Sequence, residues 1–133
     1  MTSPTLELQG AIVTRLKAHG PLTAIVGPRI YDAVPKKDDF PRVTLGPTEE
    51  VSDDVDCIDG FEVTLQIDCW SQAVGFPEVR RMADAVRRAL KAGVALSDNA
   101  LVYLNHRTTR TFRDSDGQTS RAALTFEAFI EQP

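Results

Sequence analysis

This chain has few of the groups that carry out chemistry. It holds two histidines, His19 and His106, two cysteines, Cys57 and Cys69, and one tryptophan, Trp70. Neither histidine falls in a metal-binding or nucleophile-elbow spacing, and the cysteines lack the paired spacing of zinc or thiol-redox sites. The glycines form no Gly-x-Gly-x-x-Gly run and no phosphate-binding lysine motif accompanies them. An enzyme needs a convergent set of reactive groups, so no catalytic residue, metal ion or cofactor is expected. No apolar run is long enough to cross a bilayer. The start, Met1-Thr2-Ser3-Pro4-Thr5, has neither the basic nor the apolar region of a signal peptide, so an intracellular chain without a membrane partner is expected. The net charge of -4 argues against wholesale nucleic-acid binding. A disulfide is not expected either. A strand over 60–71 would separate Cys57 and Cys69 by on the order of 35 Å at about 3.3 Å per residue, far beyond the about 7 Å between Cα atoms that a bridge spans.

What remains is an ordinary globular composition: 133 residues, 42% apolar and 26% charged, enough for one domain over 1–133 with one core. Ser3-Pro4 opens a helix, with Ser as cap and Pro in the first turn. Leu8, Ile12 and Leu16 form its apolar stripe, and His19-Gly20 are expected to close it. Five prolines between 21 and 47 rule out a long helix there. They leave one helical turn at 22–26 and short strands at 29–31 and 42–45. Over 48–59 the chain carries Glu49, Glu50, Asp53, Asp54, Asp56 and Asp59 with no Lys or Arg. That spacing does not match a calcium loop, so a solvated, mobile loop is expected.

Residues 61–70 alternate cleanly: Phe61, Val63, Leu65, Ile67 and Cys69 face one way, Glu62, Thr64, Gln66 and Asp68 the other. Trp70 lands on the polar side, as an edge cover or as a contact residue. A second helix opens at Phe76-Pro77-Glu78, runs to about Lys91 and ends at Gly93. Val79, Met82, Ala83, Val86 and Leu90 make its buried face. Arg80, Arg81, Arg87, Arg88 and Lys91 form a basic face, either solvated or a dock for an acidic partner.

The C-terminal third reads as a long hairpin, with strands over 101–112 and about 118–130 joined by Asp114-Ser115-Asp116-Gly117. Average strands have about 5–6 residues, so arms of roughly twice that length should outrun the body. Only Leu101, Val102, Leu104, Leu124, Phe126 and Ile130 look suited to a core. The tip, 105–110 facing 119–121, is expected to project and to touch something else. The fold class expected is α+β: an antiparallel sheet with a long C-terminal hairpin and two helices packed on one face.

Several phrases in order carry a resemblance. They are Leu16-Lys17-Ala18, Ile25-Val26-Gly27, Arg29-Ile30-Tyr31-Asp32-Ala33-Val34-Pro35 and Phe40-Pro41. The strand ending Trp70-Ser71, the helix over 78–90 and Phe112-Arg113-Asp114-Ser115-Asp116-Gly117 complete the series. Read together they resemble the tail-completion, or tail-terminator, family of long-tailed phages and phage-like gene transfer agents. The resemblance implies an α+β subunit that forms a six-membered ring on the head-proximal end of the tail tube. Such a ring stops tube growth, receives the head-side connector and lets DNA pass through its lumen without sequence-specific binding. It implies no catalytic residues, and a place in the cytoplasm during assembly and then in the tail neck of the particle. A closed ring joins two different patches on each subunit. Glu49, Glu50, Asp53 and Asp54 facing Arg80, Arg87 or Arg88 of a neighbour are the candidate interface. Arg107, Arg110, Arg113, Asp114, Asp116 and Arg121 on the hairpin are candidates for contact with the tube or the neighbour. The rival readings are another head-tail connector or stopper, and a nucleic-acid-binding module using the hairpin arginines. Asp114 and Asp116 at the tip and the scarcity of aromatic platforms weigh against the second.

Overall fold

The computed structural model describes residues 3–37, 39–54 and 57–133. Met1, Thr2 and Asp56 lie outside the described residues. Helix α1 (Pro4–Lys17) begins as its sequence dictates: the Ser3 hydroxyl accepts the Leu6 N–H at 3.3 Å, and Leu8, Ile12 and Leu16 are buried. Helix α2 (Gly20–Val26) follows almost at once, and here the structure corrects the sequence reading. His19 and Gly20 do not cap α1. The His19 carbonyl accepts the Leu22 and Thr23 N–H groups and starts α2, with Pro21 in its first turn. A proline just inside a helix start pre-sets the backbone for a new helix, which outweighs the capping tendency of glycine.

Strand β1 (Ile30–Tyr31) lies parallel to β2 (Arg42–Ser52), and β3 (Asp59–Ser71), β5 (Ser120–Gln132) and β4 (Ala100–Arg113) continue the sheet antiparallel. The strand order is β1-β2-β3-β5-β4. Helix α3 (Pro77–Lys91) packs across β3, β5 and β4, and α1 and α2 pack beside it. The class is α+β as expected, with a third helix and one parallel strand added. Val63, Leu65, Ile67 and Cys69 of β3 and Ala122, Leu124, Phe126, Ala128 and Ile130 of β5 meet Val79, Met82, Val86 and Leu90 of α3 in one core. A large apolar side chain removed fully from water in this way contributes about 1.5–3 kcal/mol. Cys69 is buried in that core, Cys57 is exposed, and both are free thiols. Among the described residues no helix is long and apolar enough to cross a membrane.

Two further expectations fail. The acidic stretch is not a loop from residue 48: after a bulge between Leu45 and Thr48, β2 resumes and pairs Thr48 with Leu65 through Ser52 with Phe61. The Gly46-Pro47 pair breaks the ladder for one step only, so the strand survives its proline. The C-terminal hairpin does not project either. β3 is as long as β5 and pairs with it from Asp59–Gln132 to Ser71–Ser120, so the body matches the hairpin in length. Thr119, Ser120, Ala122 and Ala123 near the turn are buried. The small side chains of Ser120 and Ala122 let the start of α3 approach closely, and the Ser120 hydroxyl donates to the Gly75 carbonyl at 3.1 Å.

Candidate assembly surfaces

Because β5 is central, only β4 of the hairpin lies at an edge, and it is mostly exposed. At the opposite edge β1 covers β2 only at Val43 and Thr44, and residues 47–52 are all exposed. Among the described residues both edges therefore leave backbone N–H and C=O groups unpaired by any strand. The edges differ in charge. β4 carries His106, Arg107, Arg110 and Arg113 and no carboxylate. The exposed part of β2 and the residues after it carry Glu49, Glu50, Asp53 and Asp54 and no cation.

The acidic residues are partly committed to the β2–β3 turn. Asp53 N–H donates to the Gly60 carbonyl at 2.8 Å, and the Asp54 carboxylate accepts the Gly60 N–H at 3.3 Å. A Cβ on Gly60 would meet the Asp53 carbonyl oxygen at 2.4 Å, so this turn requires glycine. Glu49 and Glu50 have open surroundings on the strand. They do not meet Arg80, Arg87 or Arg88 within the protomer, since α3 sits over β3, β5 and β4.

The basic face of α3 neutralises part of itself. Asp84 accepts from Arg87 Nη2 at 3.0 Å and Arg88 Nε at 2.8 Å, and the Arg87 bond followed by that of Arg88 holds its carboxyl below the usual range. Arg80 lies over the Phe76 ring at 5.5 Å. On the hairpin, Arg107 ion-pairs with Glu127 at 3.4 Å, both largely exposed, while Arg110 stacks near Phe112 and Arg113 near Phe76. Asp114 and Asp116 build the turn. Asp114 N–H donates to the Thr119 carbonyl, and the Asp116 carboxylate accepts the Gln118 and Thr119 N–H groups and the Thr119 hydroxyl. The Thr119 hydroxyl is the first cause of a lowered Asp116 carboxyl. Gly117 takes φ of 75°, the left-handed conformation that the Asp-Gly signal requires.

Arg121 belongs to a ladder that pairwise reading of the strands does not reveal. Arg42, Trp70, Arg121 and Phe112 are register neighbours on β2, β3, β5 and β4, on the face away from the helices. The Arg42 and Arg121 guanidinium carbons sit 5.3 and 4.4 Å from the Trp70 ring centroid, and Arg121 is 5.7 Å from that of Phe112. The Trp70 indole N–H donates to the Thr44 hydroxyl at 2.9 Å, and Arg121 Nη2 reaches the buried Asp68 at 3.2 Å. Trp70 is thus neither an edge cover nor a bare contact residue. It is the middle of an interleaved cation–aromatic row.

Two other features escaped the sequence. Glu7 on α1 accepts the N–H groups of Ser97, Asp98 and Asn99, the Ser97 hydroxyl and the Asn99 amide, all at 2.8–3.0 Å. The Asp98 N–H leads the causes that lower its carboxyl to about 2, and the clamp ties α1 to the approach of β4. A cleft of about 470 Å³ between α3 and β4 is lined by Arg87, Lys91, His106 and Arg107 over Phe126. His106 meets Phe126 edge-on at 5.4 Å, and burial followed by the Arg87 charge keeps its imidazole from protonating readily. Only the packing of α3 on β4 brings Arg87 and Lys91 beside His106 and Arg107. Among the described residues no cluster of His, Cys, Asp and Glu is arranged to hold a metal ion.

With this geometry in view, residues 10–131 match the family model of the tail completion protein gp17. The fold is similar to that of a chain in the virion of a native gene transfer agent particle. The TM-score is 0.89 and the identity 30%, over 98% of this chain and 99% of that one. It also resembles the gp17 protein of bacteriophage SPP1 in fold, with a TM-score of 0.62 and 19% identity over 93% of this chain and 88% of that one. No curated protein matches the chain.

Proposed function

The chain belongs to the tail completion protein gp17 family, and from that premise we propose that it is the tail terminator of its particle. Six copies form a ring on the head-proximal end of the tail tube, stop further addition of tube protein and present the surface on which the head-side connector docks. DNA crosses the lumen without sequence-specific contact. The protein works by shape and association rather than by making or breaking bonds. It is made in the cytoplasm and ends in the neck of the particle. The observation that carries this reading is the end-to-end likeness, in fold and in sequence, to a chain of a gene transfer agent virion.

The distribution of charge is in keeping with it. A head-to-tail ring joins two unlike patches, and an acidic edge and basic surfaces sit apart on the protomer. Charges at such a boundary set orientation and partner choice more than affinity, because salt screens exposed pairs over about 8 Å. Electron microscopy of particles made with and without the chain tests the proposal. Overlong tubes that fail to join heads are expected in its absence. Tails of normal length joined to heads would end the proposal.

A further inference from the structure

The two open sheet edges differ in charge, and each has a regular stretch bounded by a bulge. On β4 the register is broken between Leu101 and Tyr103 and again between His106 and Thr108, so its longest uninterrupted run is residues 108–113, beyond the shorter one at 103–106. On β2 the break lies between Leu45 and Thr48, leaving residues 48–52 regular. The first run carries Arg110 and Arg113 and no acid. The second carries Glu49 and Glu50, continues into Asp53 and Asp54, and has no cation. An unpaired row of N–H and C=O groups is a template for another strand. Like charges on each edge oppose pairing of β4 with β4 or of β2 with β2, whereas the unlike edges attract. The basic face of α3 is the weaker counterpart for the acidic edge, since Asp84 already holds Arg87 and Arg88.

Resting on the tail-completion reading, we propose that copies of this chain join head to tail by strand addition. Residues 108–113 of one copy pair with residues 48–52 of the next, and the sheet continues from subunit to subunit. The acidic and basic side chains flank the new ladder, and the half-exposed Val51 is covered by it. Pro47 has no N–H to donate and marks where the added pairing ends. The bulges limit each edge to a short competent run, which guards the free protomer against indiscriminate edge-to-edge aggregation. Because donor and acceptor edges lie on opposite sides of the sheet, the contact is heterologous, the kind that makes a ring where the rotation between copies closes.

A charge exchange tests this on the full chain. The variant Arg110→Glu/Arg113→Glu has two acidic edges, and Glu49→Lys/Glu50→Lys has two basic ones. Sedimentation at rising protein concentration and binding to tail tubes made without the chain are the readouts. Each variant alone is expected to lose association while keeping the wild-type circular dichroism and melting curve. Their equal mixture is expected to regain it, because every junction in an alternating ring then joins unlike edges. Amide hydrogen exchange is expected to slow at 48–52 and 108–113 in the assembled chain relative to the free one. Association undiminished in either variant overturns the proposal. So do a mixture that fails to recover, exchange that does not slow at both runs, or a wild-type chain that never associates. The tail-length experiment stands apart. Overlong tails with undisturbed variants would remove only this interface, whereas normal tails with a rescued mixture would remove only the terminator reading.

Discussion

Arg121 and Arg107 make opposite predictions from the same kind of interaction. Each pairs with a carboxylate of another strand of the sheet: Arg121 with Asp68, Arg107 with Glu127. The Asp68 side chain is 4% exposed and that of Arg121 25%, whereas Arg107 and Glu127 are 60% and 44% exposed. Arg121→Ala therefore strands a buried carboxylate and strips the cation from the Trp70 ring. Breaking a buried pair in this way costs about 3–5 kcal/mol. Gln66 still donates to Asp68 at 2.9 Å, which favours the lower end of that range. With the lost cation–aromatic contact the expected destabilisation is about 3–4 kcal/mol. At roughly 4 °C per kcal/mol for a chain of this length, the melting temperature should fall by on the order of 12–16 °C. Arg107→Ala removes a solvated pair and should cost about 0.2–1 kcal/mol. Urea titration and thermal melting of both variants beside the wild type measure the contrast. Equal losses for the two, or a loss below about 1 kcal/mol for Arg121→Ala, would refute the claim that burial decides which pair holds the fold. The same result would return Arg121 to the set of residues free to meet a partner.

Two more outcomes follow from the core and the clamp. The Glu7 carboxyl is lowered from 4.5 to about 2, so its hydrogen bonds stabilise the fold fully above pH 4.5 and are lost as pH falls toward 2. Thermal melts across that window should show a shallower acid decline for Glu7→Gln than for the wild type, from a lower starting stability at neutral pH. Leu124→Ala, at a fully buried position paired with Ile67, should cost about 2–5 kcal/mol by denaturant titration, and a smaller loss would mean that the sheet face closes over the gap.

Sequence periodicity located the pieces that have a strong local signal. Ser3-Pro4 and Phe76-Pro77 marked helix starts, the alternation over 61–70 marked β3, and Asp116-Gly117 marked the hairpin turn. It missed where a strand continues through Pro47, because a single bulge is a tertiary compromise that leaves no period to read. It also misjudged the hairpin. A polar arm with Thr, Ser and Ala looks unsupported until one knows that β5 lies between β3 and β4. The candidate contact residues were legible only as charges. Asp84 holds Arg88 four residues along one helix, a pairing the sequence can show, whereas Arg121 is engaged by Asp68 of a distant strand, which it cannot.

The amino-acid order by itself determined the helix starts, the alternating strand, the turn and the absence of conspicuous reactive motifs, since each depends on residues within a few positions of one another. The tertiary structure alone decided which strand became central and which two became edges. Strand order depends on pairing between segments tens of residues apart, and no local pattern encodes which neighbour a strand will choose. That choice buried Ser120, aligned Arg42, Trp70, Arg121 and Phe112 into one row, and left a basic edge and an acidic edge facing away from each other.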